Sequence, residues 1–167
     1  MIQLAKRVEK NRSGFVIRTI QKGDVAEVAE LLARLKRLNG EFDPLLKTVA
    51  AIEAESKKVI ELAMSSDNSV VLVAEKQGKV AGMVKADVVD RVFYEPRKEG
   101  AIVEFYILPE FRRGTLGREL LTVVSERLKK KGAELITAEF PSQNEIAGRF
   151  YSKLGFRSLT NVYAKAE

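Results

Sequence analysis

Neither cysteine nor histidine occurs among the 167 residues, and the two absences remove whole classes of mechanism. Without cysteine there is no disulfide framework and no thiolate nucleophile. Without histidine there is no His-containing triad, and without either there is no zinc site of the usual nitrogen and sulfur ligands. Carboxylates alone can hold a metal, but no calcium-loop or P-loop spacing is present and no metal is expected. Long apolar runs are missing as well. Met1 to Gly14 is basic and carries no stretch of signal-peptide length, and no later segment is long enough to cross a bilayer. A cytoplasmic protein with no membrane partner is therefore expected.

Hydrophobic residues make up 46% of the chain and charged residues 31%, enough apolar material for a core and too much for a disordered chain. The length suits one domain, read here as residues 15–167 behind an extension of residues 1–14, with no repeat or linker. Lys and Arg number 29 against 23 Asp and Glu, a net charge of +6 that favours anionic ligands. The plainer reading of that surplus is solubility. A nucleic-acid partner is disfavoured, since the densest basic cluster, Lys129 to Lys131, falls at a helix end where cations complement the dipole.

Along the chain, Phe15 to Ile20 alternates as a strand. Asp24 then stands as N-cap to a helix with Val25, Val28, Ala29, Leu32 and Leu35 inward, stopped by Asn39 and Gly40. A second helix is expected from Pro44 to about Met64, with Val49, Ile52, Val59, Ile60 and Ala63 as its stripe. Val70 to Glu75 and Val80 to about Val92 read as strands joined by a turn at Gln77-Gly78, and Ala101 to Leu108 as a fourth strand after the loop Tyr94 to Gly100. Leu116 to Lys131 is an amphipathic helix closed by Gly132. Leu135 to Phe140 is a fifth strand, Asn144 to Leu154 a last helix with Ile146, Ala147, Phe150 and Leu154 inward, and Phe156 to Ala164 a final strand. This order implies an α/β (α+β) domain, because hairpins join antiparallel strands and βαβ units parallel ones. A mixed sheet with helices on both faces is expected.

The chemistry is concentrated between the fourth strand and the amphipathic helix, in Ile107-Leu108-Pro109-Glu110-Phe111-Arg112-Arg113-Gly114-Thr115-Leu116-Gly117-Arg118. Gly114 and Gly117 permit a tight turn and close approach of a ligand, while free amides of the first helical turn and the Arg side chains present positive potential. Such a nest suits a pyrophosphate. Neither the Gly-Lys-Ser/Thr closure of a P-loop nor the three glycines of a dinucleotide fingerprint is there. Taken alone, the turn reads equally well as a solvated loop shaped by its glycines.

With its context, the segment resembles the signature of the GNAT superfamily of acyl-CoA-dependent N-acyltransferases, and the resemblance runs from about Phe15 to Ala164. The signature is an Arg or Gln, two residues, Gly, one residue, then Gly or Ala. Here that register gives Arg112, Arg113, Gly114, Thr115, Leu116 and Gly117, with Thr115 where the first motif glycine normally stands and a glycine one place earlier. A second motif, Asn144-Glu145-Ile146-Ala147-Gly148-Arg149-Phe150-Tyr151-Ser152-Lys153-Leu154-Gly155-Phe156, is similar to the Asn, Ala, Tyr and Leu-Gly-Phe ending of the family. Two motifs in the right order are far more specific than one.

The resemblance implies a mixed, mostly antiparallel sheet of about six to seven strands. It implies acetyl-CoA as co-substrate, an amine acceptor (a protein N-terminus, a lysine, a polyamine or a small metabolite) and direct transfer without a covalent intermediate. Main-chain groups of Ile107 and Leu108 would hold the pantetheine arm in a splay between the fourth and fifth strands. Arg112 to Arg118 would cradle the pyrophosphate, and Asn144, whose plain reading is an N-cap, would also bind the cofactor. Tyr151 would protonate the departing thiolate, against the plain reading of a helix residue with its hydroxyl in solvent. Glu104, a carboxylate between Val103 and Phe105 in a strand, is the candidate base, with ordered water or a solvent-facing ion pair as alternatives. Acceptor specificity is expected in the first two helices, the loop Leu38 to Pro44 and the loop Arg91 to Gly100. A homodimer is left open, and the rival readings are a non-catalytic acyl-CoA-binding module and, behind it, a basic nucleic-acid-binding domain.

Overall fold

A computed structural model describes residues 9, 10 and 13–167. The other residues of the expected N-terminal extension, 1–8, 11 and 12, lie outside the described residues. Among the described residues six strands form a single sheet in chain order: β1 (Glu9–Lys10), β2 (Val16–Thr19), β3 (Ser69–Lys76), β4 (Lys79–Asp90), β5 (Lys98–Ile107) and β6 (Leu135–Ala138). The pairing is antiparallel from β1 to β5 and parallel between β5 and β6. Four α-helices accompany it: α1 (Val25–Phe42), α2 (Ile52–Met64), α3 (Leu116–Lys130) and α4 (Glu145–Lys153).

The sheet buries both faces. Period-two alternation sends Val84 and Ala86 of β4 against Leu120, Val124 and Leu128 of α3, and Met83 against Leu32 of α1 and Ile60 of α2. Two apolar layers result, one under α3 and α4 and one under α1 and α2. The β3–β4 hairpin turns at Gln77 and Gly78, with φ of 53° and 79°, the left-handed pair that a two-residue hairpin demands. Gly132, at φ 97°, ends α3 as expected.

Four expectations are corrected. Asn39 and Gly40 do not stop α1, which runs to Phe42; a Cβ on Gly40 would stand 3.3 Å from the Leu46 carbonyl oxygen, so this glycine makes room for the Pro44–Leu46 turn. The second helix begins at Ile52 and not at Pro44, whose 3₁₀ turn ends before an extended Lys47, and Val49 is exposed. On α4, Ile146 is exposed and Tyr151 is the buried residue. Phe156 to Ala164 forms no strand among the described residues: Leu159, Val162 and Tyr163 are exposed. Alternation gives a propensity, but a strand also needs a partner ladder, and nothing in the described sheet extends one to this segment.

Candidate active site

Two irregularities of the sheet fall at one level and create an opening. On β5, Lys85 of β4 faces Glu104 and Ala86 faces Ile102, so Val103 is an unopposed bulge residue. On the other side of β5, the parallel ladder with β6 ends at Ile102 and Ala138, followed by one bond from the Glu139 amide to the Ile102 carbonyl (3.1 Å). Beyond it the strands separate, leaving the edge of β5 from Val103 to Ile107 without a ladder partner on the β6 side among the described residues.

The bulge decides which way Glu104 points. In a regular strand Glu104 would share a face with Ile102, which lies in the α3 core. One extra residue reverses the parity, so Phe105 and Ile107 face α3 and α4 while Glu104 and Tyr106 face α1. There Glu104 meets Lys36 of α1, with Oε1 to Nζ 2.6 Å. The Glu104 side chain keeps only 12% of its surface exposed. Burial raises its pKa above the ordinary carboxylate range, opposed by the Lys36 hydrogen bond and charge and by the charge of Lys85.

Tyr151 occupies the opposite side. Helix α4 is capped by Asn144, whose Oδ1 accepts from the Ala147 amide at 3.1 Å. The helix carries Tyr151 into a cage of rings: Phe140 stacked at 5.3 Å, Phe150 at 5.1 Å, Phe156 at 5.3 Å and Phe105 of β5 at 6.5 Å between centres. Only 6% of Tyr151 is exposed, so the solvent-facing alternative is corrected. Burial raises the phenol pKa, keeping the hydroxyl protonated across the neutral range. Glu104 and Tyr151 therefore stand on the two faces of the sheet beside one opening in it.

At the C-terminal end of β5 the chain makes a 3₁₀ turn, Pro109–Phe111, and enters α3. Thr115 is the N-cap residue but makes no side-chain cap, and the first intrahelical donor is the Glu119 amide, bonded to the Thr115 carbonyl at 3.0 Å. The amides of Leu116, Gly117 and Arg118 thus face out of an uncapped helix end, with the exposed side chains of Arg113 and Arg118 beside it. This arrangement fits a pyrophosphate.

Several readings of this loop change. Thr115 has φ −88° and ψ −6°, right-handed geometry open to any residue, so the missing glycine costs no strain; its hydroxyl is engaged with Glu119 Oε1 at 2.7 Å. Gly114 has open space where a Cβ would stand. Gly117 does not, since a Cβ there would lie 3.2 Å from the Phe150 ring. Arg112 turns back, donating from Nε to the Ile107 carbonyl at 2.8 Å with its guanidinium over the Tyr106 ring, and so pins the loop to the strand. The Leu108 amide donates to the Ala81 carbonyl at 2.9 Å. It is already spent, whereas alternation points the Ile107 amide away from β4, toward the opening. Lys36 was missed by the sequence reading because its spacing in α1 is that of any solvated lysine. Among the described residues no three Asp or Glu side chains come together as metal ligands do.

Residues 32–156 match the family described as the Acetyltransferase (GNAT) family. A relative from Archaeoglobus fulgidus, an uncharacterised N-acetyltransferase, is 30% identical over 101 residues, covering 60% of this chain and 69% of the relative. Another uncharacterised N-acetyltransferase, from Methanocaldococcus jannaschii, is 28% identical over 142 residues, which is 85% of this chain but only 60% of that protein's length. A structure described as a "predicted acetyltransferase with acetyl-CoA" from Clostridium acetobutylicum superposes with a TM-score of 0.75 at 15% identity, covering 92% of this chain and 96% of that one. It shares the fold.

Proposed function

The chain belongs to the GNAT acetyltransferase family, and on that premise we propose that it moves an acetyl group from acetyl-CoA directly to a primary amine, using Tyr151 as acid and Glu104 as base. One observation carries the assignment: Glu104 and Tyr151 lie on opposite faces of the sheet at the opening between β5 and β6. The helix end at Leu116, Gly117 and Arg118 holds the pyrophosphate, and the Ile107 amide, directed into the opening, bonds the arm that runs along β5.

Along that edge, the three residue steps from Ile107 to Glu104 span about 10 Å, so an arm following the strand brings its thioester to the level of both side chains. The acceptor amine enters from the α1 side and gives its proton to Glu104. The tetrahedral adduct collapses, the C–S bond breaks, and the thiolate takes a proton from Tyr151 on the α4 side. Acceptor choice then falls to α1, α2 and the loops that follow them in space. The β4–β5 loop presents Phe93 and Tyr94 to solvent, the latter stacked on Arg91.

The test is to melt the protein with and without CoA, and to follow thiol release from acetyl-CoA over a panel of primary amines, identifying products by mass spectrometry. A higher melting temperature together with amine-dependent thiol release supports the proposal. Binding without release from any amine would instead support the acyl-CoA-binding module, and no binding would overturn the cradle.

A further inference from the structure

The ammonium of Lys36 stands where an acceptor amine has to stand. Its Nζ is 2.6 Å from Glu104 Oε1, on the α1 face of the opening, and Glu104 sits there only because the Val103 bulge turns it. Lys36 lies in the middle of α1, a helix fixed against the sheet by Val28, Leu31 and Leu32, so its reach is set by four methylenes on a fixed backbone. A second lysine near this carboxylate, Lys85, is a cross-strand neighbour that bonds Asp87 Oδ2 at 2.6 Å, an acid held in turn by the Ser69 hydroxyl. Lys36 is thus a primary amine already seated on the candidate base.

We infer that Lys36 is a site of self-acetylation, in which the chain transfers the acetyl group of its own bound acetyl-CoA to Lys36 when no better acceptor is present. This rests on the transfer reading above. The Lys36 ammonium loses one proton to Glu104, and its freed electron pair attacks the thioester carbonyl. The N–C bond forms and the C–S bond breaks. The second proton leaving nitrogen and the one delivered by Tyr151 to the thiolate balance the product amide and free CoA thiol, with one proton released to solvent overall. Acetylation removes the Lys36 charge and leaves an acetamide at the entrance used by acceptors.

The experiment incubates the full chain with acetyl-CoA and no acceptor, then follows each lysine-containing peptide by mass spectrometry over time and over a range of protein concentrations. Lys36 should gain one acetyl group faster than every other lysine, at a rate per chain unchanged by dilution. In Glu104→Gln the rate should fall by ten-fold or more, within the ~10²–10⁴ range of a positioned base. Heat-unfolded chain should show no preference for Lys36, a comparison that needs no variant. A protein that binds acetyl-CoA and acetylates added amines overturns the inference, and leaves the transfer reading intact, if Lys36 stays unmodified, reacts no faster than exposed lysines, yields to Lys85, or reacts at a rate that rises with protein concentration. A protein that neither binds acetyl-CoA nor transfers from it overturns both.

Discussion

A Cβ on Gly117 would lie 3.2 Å from Cε2 of Phe150 and 3.5 Å from Cδ1 of Ile107, so the first turn of α3 is pressed against α4 and the end of β5 at once. The glycine that resembles a cofactor motif is therefore also a packing residue. Gly117→Val adds two further methyls to that contact and should cost about 1–3 kcal/mol by overpacking, lowering the melting temperature by ~2–4 °C per kcal/mol. CoA affinity should fall with it, because the helix end that supplies the amides is displaced. Thermal melting and calorimetric titration check this. A Gly117→Val protein with parental melting but weakened CoA binding would assign the glycine to the ligand alone.

As the proposed base, Glu104 should set the acidic limb of the pH–rate profile. Its pKa is raised, so the base becomes ionised, and transfer rises, at a pH above the ordinary value of 4.5. The same shift means the folded chain holds this proton more tightly than the unfolded chain, and the stability it contributes declines as pH rises through that window. Glu104→Gln should remove the limb and slow transfer. An unchanged limb in that variant would assign the titration to another group.

Lys36 opposes the effect of burial on Glu104 more than any other residue, through its hydrogen bond and its charge. Removing the cation should raise the carboxyl further. In Lys36→Met the acidic limb of transfer to an added amine should move to higher pH, and a limb that stays or moves down would contradict the pairing.

Gly100, at the β5–β6 end of the sheet, has no room for a side chain: a Cβ there would lie 2.9 Å from Cβ and Cδ1 of Leu128 and 3.0 Å from Cδ1 of Ile136. Gly100→Ala should destabilise the protein by about 1–3 kcal/mol without touching the opening. Thermal denaturation measures it, and parental stability would contradict the packing described.

The architecture was legible where the signal is local. Gln77 and Gly78 announce a hairpin turn, Gly132 a helix end, and the Leu116, Leu120, Val124 and Leu128 stripe a buried helix face. The candidate site was legible as two motifs and one odd carboxylate. The bulge at Val103 was not, because Ile102 and Val103 are both apolar and a single added residue leaves no mark in such a run. The partnership of Glu104 with Lys36 was hidden for another reason, since it joins a helix and a strand far apart in sequence and depends on that bulge. Gly40 misled because a glycine read as a stop was required by a neighbour, the Leu46 carbonyl, and Gly117, read as a ligand contact, is required by the Phe150 ring as well. The segment Phe156 to Ala164 had the alternation of a strand and lacked only a partner.

In the proposed reaction the thioester reacts at the opening in the sheet, with Tyr151 supplying the proton to the thiolate. Tyr151→Phe keeps the ring among Phe105, Phe140, Phe150 and Phe156 and removes only the hydroxyl, for which no hydrogen bond is made among the described residues. Its folding should be close to parental. Single-turnover transfer from bound acetyl-CoA to a saturating amine is the measurement, because product release cannot mask the chemical step there. The rate should drop by about 10²–10⁴ with acetyl-CoA affinity unchanged. A Tyr151→Phe protein that transfers at the parental single-turnover rate across pH would contradict the account.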